Sequence, residues 1–210
     1  PTSSRRQRQM CIRDSHIQSM TGEEAFNWLG SEYTSNASVE GLENIPKDGK
    51  FLIVSNHPMG AADAIALYHK IYPVRNDLFF FANELFVYLL GAFHELLAPV
   101  VWNKEKETHS ASKVTLERLS VFFGDDRPGI IFPSGRLSKL TFLGLWDRPW
   151  EKTPIALAKK YNFPLIPVYV EGRNSWFFYF ASYVNKQLRD ISQLNELFNK
   201  WEKEMSIKIG

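Results

Sequence analysis

The sequence predicts an α/β fold: a single domain whose largely parallel, mixed sheet is flanked by helices. Three observations point there. Short β-rich runs alternate with longer stretches of helical periodicity, the pattern of strands joined by crossover helices. With 210 residues and 24.3 kDa the chain can bury one sizeable core but not two. Its 44% hydrophobic and 23% charged residues suit a globular protein and exclude disorder, collagen-like repeats and coiled coil.

Residues 1–15 hold four arginines, one acid and almost no apolar side chain, so nothing there offsets the entropy of ordering. This segment is expected to be disordered. Its order of residues resembles a translated adapter, so it is read as a non-native tail, leaving 16–210 as the folded domain. The first strand is expected at 51–55, Phe-Leu-Ile-Val-Ser, after the turn-like Pro46-Lys47-Asp48-Gly49. An alanine-rich helix follows at 61–71, a second strand at 78–82 and a helix at 84–93. Val114, Leu116, Leu119 and Phe122-Phe123 recur at helical spacing and predict a helix over 108–123, ending before Gly124. Residues 129–132 form a strand between Pro128 and Pro133, and 154–161 a helix with proline in its first turn. Residues 165–170 read as a strand in which Pro167 implies an edge, a bulge or a kink. A helical stretch over 179–205 precedes a last apolar alternation at 205–210, which stops as though cut, so the domain is expected to be truncated there.

Composition also excludes function classes. The formal charge of +2 comes from the doubtful tail: without residues 1–15 there are 21 bases and 22 acids, so no nucleic-acid partner is expected. The sole cysteine, Cys11, lies in that tail and rules out a disulfide framework. His69, His94 and His109 form no metal-ligand spacing, and no serine nucleophile elbow or phosphate loop is present. No apolar run reaches the ~18–20 residues of a membrane-spanning helix. The aromatic content of 14% is high and hints at an apolar ligand or interface.

In open parallel sheets the functional residues gather beyond the carboxyl ends of strands, and three such ends here are polar. After the first strand come Asn56-His57-Pro58-Met59-Gly60-Ala61-Ala62-Asp63. Six positions on a regular helix turn through about 600°, so His57 and Asp63 meet only if His57 sits in the turn and Asp63 faces back from the first helical turn. A histidine oriented by a carboxylate is a good general base for a hydroxyl. The plainer reading is a turn histidine bonded to backbone beside an acid at a helix N-terminus. After 129–132, Pro133-Ser134-Gly135-Arg136-Leu137-Ser138-Lys139 offers a glycine-opened turn with a hydroxyl and two cations, suited to an anionic head group or simply to water. After 165–170 come Glu171-Gly172-Arg173-Asn174-Ser175, where Ser175 is expected to cap a helix.

Asn56-His57-Pro58 with Asp63, then Phe132-Pro133-Ser134-Gly135-Arg136, then Ile166-Pro167-Val168, resemble in order and spacing the successive blocks of the lysophospholipid (glycerolipid) acyltransferase family. Two departures narrow the resemblance. The family signature separates His and Asp by four residues, whereas five intervene here and Ala62 stands at the usual position. The second block usually reads Phe-Pro-Glu-Gly-Thr-Arg, but Ser134 replaces the Glu and the Thr is absent. Both departures resemble the hemolysin-like, or lyso-ornithine (lyso-aminolipid), branch. The resemblance implies a glycerol-3-phosphate acyltransferase-like fold and an acyl thioester on acyl carrier protein or coenzyme A, with no bound cofactor and no metal. It implies as acceptor the hydroxyl of a lyso-aminolipid or a 1-acylglycerol-3-phosphate. His57 is then the general base and Asp63 its partner. Asn56, Ser134, Gly135, Arg136, Arg173 and Asn174 bind substrate, and Pro167 shapes the wall of the site.

Lipid substrates imply peripheral contact with the cytoplasmic face of a bacterial inner membrane. Phe79-Phe80-Phe81 is expected in the core, whereas the aromatic stretches 143–150 and 176–180 are open to exposure, to an acyl-chain tunnel or to plain core. A competing class is a non-catalytic lipid-binding or membrane-perturbing protein of the same fold. A binding module has no need of a base at a strand end, which favours the enzyme.

Overall fold

The computed structural model describes residues 20–83, 91–100, 109–142, 144–184, 192, 196 and 205–210. Among them the chain runs through α1 (Gly22–Tyr33), β1 (Ala37–Glu40), β2 (Leu52–Ser55), α2 (Ala61–Ile71), β3 (Phe79–Asn83), a 3-10 turn (Gly91–Leu96) and β4 (Leu97–Val100). It continues through α3 (His109–Gly124), β5 (Gly129–Ile131), β6 (Lys139–Thr141), β7 (Gly144–Trp146), α4 (Thr153–Tyr161), β8 (Leu165–Glu171), α5 (Trp176–Val184) and β9 (Met205–Ile209).

Seven strands form one sheet in the order β1-β9-β8-β2-β5-β3-β4, and β6 and β7 form a separate hairpin. From β8 to β4 every pairing is parallel; β9 runs antiparallel to β8 and parallel to β1. The sheet is therefore mixed and mostly parallel, as the alternation of strand and helix predicts. β2 lies at its centre with all four residues buried, because a strand covered on both faces needs a continuous apolar run. On one face α1 and α2 pack Phe26, Ala66 and Tyr68 against Ile53, Phe80, Ile130 and Val168. On the other, α3 and α4 pack Leu119, Phe122, Phe123 and Leu157 against Leu52, Val54, Phe79 and Ile131. Each such side chain contributes about 1.5–3 kcal/mol by leaving water. Among the described residues this second layer reaches β8 only at Leu165; farther along, Pro167, Tyr169 and Glu171 are exposed while Ile166, Val168 and Val170 are buried.

The expected helix at 61–71 matches α2 at both ends, and the strands at 51–55, 78–82 and 129–132 match β2, β3 and β5 to within a residue. Pro167 is a correction. β8 is flanked by β2 and β9 and pairs with β2 in unbroken register from Leu165 to Val168, so the proline occupies neither an edge nor a bulge. Its carbonyl accepts from the Gly210 amide at 2.9 Å. In a strand the N and O of one residue face the same neighbour, so the missing donor costs only the reciprocal bond to Gly210. The helix expected at 84–93 falls mainly on residues outside the described ones; its last part, Gly91 to Phe93, belongs to a 3-10 turn leading into β4. The stretch expected at 179–205 begins as α5, and most of the rest lies outside the described residues, as do residues 1–15 with Cys11.

Candidate active site

β2 delivers Asn56 and His57 beyond its carboxyl end. Asn56 continues the sheet with its side chain: its amide Nδ2 donates to the Val170 carbonyl at 2.8 Å and its Oδ1 accepts from the Val170 amide at 2.7 Å. This two-point bridge replaces a backbone rung and clamps the start of the turn to β8. His57 is then held from three sides. Its ring stacks on Phe132 at 4.0 Å between centroids, and its carbonyl accepts from the Ser138 amide at 2.8 Å. On the third side its Nδ1 lies 3.0 Å from Oδ2 of Asp63.

Asp63 reaches that position through the turn. Gly60 adopts φ 83° and ψ −131°, a conformation natural to glycine, and serves as the N-cap of α2 with Asp63 at the third helical position. Oδ2 of Asp63 reaches back to accept the Met59 and Gly60 amides, each at 2.9 Å. The extra residue in the spacing is thus absorbed by the turn: Ala62 is 1% exposed and packs in the core, while Asp63 faces the histidine. The carboxylate is fully buried and the His57 side chain 18% exposed. With Nδ1 turned to Asp63, Nε2 is left as the basic nitrogen. The approach is close without being a well-aligned hydrogen bond, and Oδ1 of Asp63 is buried with no partner among the described residues. Such looseness is common before substrate binds.

A cavity of about 420 Å³ opens beside this pair, with Asn56 and Pro58 of its lining on either side of His57. Its other walls come from Ser138, Leu145 and Asp147, and from Tyr169 through Arg173 at the end of β8. Ser138 donates its hydroxyl to Asp147 Oδ1 at 2.9 Å, which ties the turn after β5 to the β6–β7 hairpin. Gly172 packs closely on Met59: a Cβ there would lie 2.5 Å from its Cε, so any larger residue requires the methionine side chain to move. That contact fastens the end of β8 against the histidine turn.

Of the residues singled out from the sequence, His57 and Asp63 meet, and Asn56 and Arg173 line the cavity. Ser134, Gly135 and Arg136 form the loop between Phe132 and Ser138; Ser134 Oγ donates to the Arg136 carbonyl at 2.8 Å, Gly135 takes φ 59°, and Arg136 is exposed. Pro167 stands on the exposed face of β8, outside the cavity lining. Asn174 is 2% exposed with both amide atoms buried and unpartnered among the described residues, and its backbone N–H donates to the Tyr179 hydroxyl at 3.2 Å. Burial pushes that hydroxyl above its ordinary pKa, and the negative charges of Glu196 and Asp63 push the same way. Ser175 caps α5 as expected, its Oγ accepting from the Phe178 amide at 3.2 Å. Glu196 in turn accepts from the Ser175 amide at 2.8 Å and from its hydroxyl. Sequence reasoning passed over Phe132 as the stacking partner of His57, and over Asp147 and Glu196. The first was signalled by its place before the Pro133-Ser134-Gly135 turn; the two acids carry no local pattern.

Among the described residues no group of three His, Cys, Asp or Glu could hold a metal ion, and no helix is long and apolar enough to cross a membrane. Two curated relatives, each a lyso-glycine lipid O-acyltransferase, come from Phocaeicola vulgatus and Bacteroides thetaiotaomicron. Both are 31% identical over 183 residues, 84% of this chain, which spans 63% and 65% of their respective lengths. The family described as acyltransferase matches residues 23–210, a span that runs from the first helix to the last strand and includes both turns around His57. The chain belongs to the acyltransferase family.

Proposed function

We propose that this chain carries the acyl-transfer centre of a lyso-lipid O-acyltransferase, with His57 as general base. The observation that carries the reading is the 3.0 Å approach of His57 Nδ1 to buried Asp63, with the flanking Asn56 and Pro58 lining a cavity. In the proposed reaction Nε2 of His57 accepts the proton of the acceptor hydroxyl as its oxygen attacks the thioester carbonyl carbon. The tetrahedral intermediate collapses, the carbon–sulfur bond breaks, and the imidazolium returns its proton to the thiolate. Asp63 keeps the proton on Nδ1 and stabilises the imidazolium without becoming protonated itself.

The acceptor proposed, in keeping with the relatives' names, is a lyso-lipid bearing an amino-acid head group such as glycine, whose carboxylate suits Arg136 and Arg173. The acyl donor is a thioester of acyl carrier protein or coenzyme A. Asn56 positions the histidine turn, and Ser134 and Gly135 shape the head-group loop. A soluble donor and a bilayer-resident acceptor favour a peripheral position on the cytoplasmic face of a bacterial inner membrane. The test is acylation of lyso-glycine lipid, lyso-ornithine lipid and lysophosphatidic acid by both thioesters, with wild type and His57→Ala. A loss of about 10²–10⁴-fold in rate is expected on removing the base; activity unchanged in His57→Ala would sink the mechanism.

A further inference from the structure

We infer that the β6–β7 hairpin and the outer face of α5 form a two-pronged clamp that seats the mouth of the cavity on an anionic lipid bilayer. The inference rests on the acyl-transfer reading, because a lipid acceptor must pass from the bilayer into the cavity. Both prongs adjoin the cavity lining. Leu145 and Asp147 of the lining bracket Trp146, which is 59% exposed, and Phe142 at the hairpin turn is 105% exposed, so no described residue covers it. On the other side Arg173 of the lining sets its guanidinium 5.9 Å over the ring of Trp176, the first residue of α5.

Trp176, Phe177, Phe180 and Val184 are each at least 60% exposed. At about 100° per residue they share an arc of roughly 100°, while Phe178 and Tyr179 turn inward and are buried. Large aromatic side chains grouped on two projections around one opening mark an interaction surface. Charge identifies the partner. Residues 136–152 carry four bases and two acids, whereas the rest of the chain after residue 15 carries 17 bases and 20 acids. Arg136, Lys139, Arg148 and Lys152 are exposed, and Asp147, one of the two acids, is engaged by Ser138 and by Trp150 Nε1. A basic rim around projecting Phe and Trp fits anionic head groups above acyl chains, whereas a protein partner would need packed pockets to receive those rings.

The test is co-sedimentation with phosphatidylcholine vesicles, with and without phosphatidylglycerol, for wild type, the triple variant Phe142→Ser/Phe177→Ser/Phe180→Ser, and His57→Ala. Wild type should bind the phosphatidylglycerol vesicles, more weakly as salt rises, and the triple variant should bind at least about 10-fold less well. The triple variant should acylate an acceptor dispersed in detergent micelles as wild type does, and one embedded in vesicles more slowly. A second readout is an environment-sensitive dye on Phe142→Cys in a Cys11→Ser background, which should shift to the blue on vesicles, while the same dye on Val121→Cys in α3, an exposed position at 58%, should not. Wild-type binding by the triple variant, or an unshifted dye at position 142, overturns the clamp. His57→Ala that sediments like wild type yet acylates nothing separates the two readings. Loss of vesicle binding in the triple variant with no acylation by any form leaves the clamp standing and removes the enzyme.

Discussion

The turns after β2 and after β5 lie on two sides of the same histidine ring and are built on opposite plans. In the first, Pro58, Met59, Gly60 and Asp63 are all buried, and one carboxylate oxygen is bonded by two backbone amides. In the second, Ser134 and Gly135 are half-buried, Arg136 is exposed, and the internal bonds are the Ser134 hydroxyl to Arg136 and the Gly135 amide to the Phe132 carbonyl at 2.9 Å. A buried carboxylate is tolerated only with such donors around it, so folding itself fixes where the acid points. The exposed turn carries no comparable constraint. The His57–Asp63 pair is therefore part of the framework, while the Ser134–Arg136 loop sits on its margin.

Substitutions in each turn can break this contrast. Asp63→Asn should have the largest effect: it removes the charge behind the imidazolium and weakens two charge-assisted bonds, lowering acylation by about 10²-fold and stability by about 2 kcal/mol. Thermal unfolding unchanged in that variant would show that the first turn is not part of the framework. Gly60→Ala asks a residue with a Cβ to hold φ 83° and ψ −131° and should cost about 1–3 kcal/mol, with acylation falling as Asp63 shifts. Gly135→Ala, at φ 59°, meets the milder left-handed penalty of about 1 kcal/mol. Equal losses of Tm in the two alanine variants would erase the difference between the turns. Arg136→Gln should leave Tm unchanged and raise KM for an anionic acceptor several-fold at constant kcat. A fall in kcat instead would move Arg136 from the margin into the chemistry.

How far the sequence reveals the molecule depends on the length of the signal. β2 and β5 are readable because central strands buried on both faces need uninterrupted apolar runs. α2 is readable because glycine and alanine mark its start. β6 and β7, three residues each, are too short to show a period of two, and β4 carries Pro99 within four residues. Pro167 misleads because local rules assume that every donor in a central strand is needed, whereas this one faces Gly210 across a single rung. The His57–Asp63 pair is visible as residue types at strand ends, but that it closes across five intervening residues depends on Gly60. Glu196 was invisible because its partner, Ser175, is 21 positions away.

The mixed topology also bears on how the chain acquires its shape. β1 is made within the first forty residues, yet in the sheet it pairs with β9, and the Ser38 hydroxyl donates to the Met205 carbonyl across 167 positions. Pairing over such a separation carries a large loop-closure cost and is slow to form. During synthesis β1 lacks its β9 partner and the flank of β8 that β9 occupies stays open until β9 has emerged. That interval, with an unpaired strand edge on show, is when this chain is most exposed to aggregation.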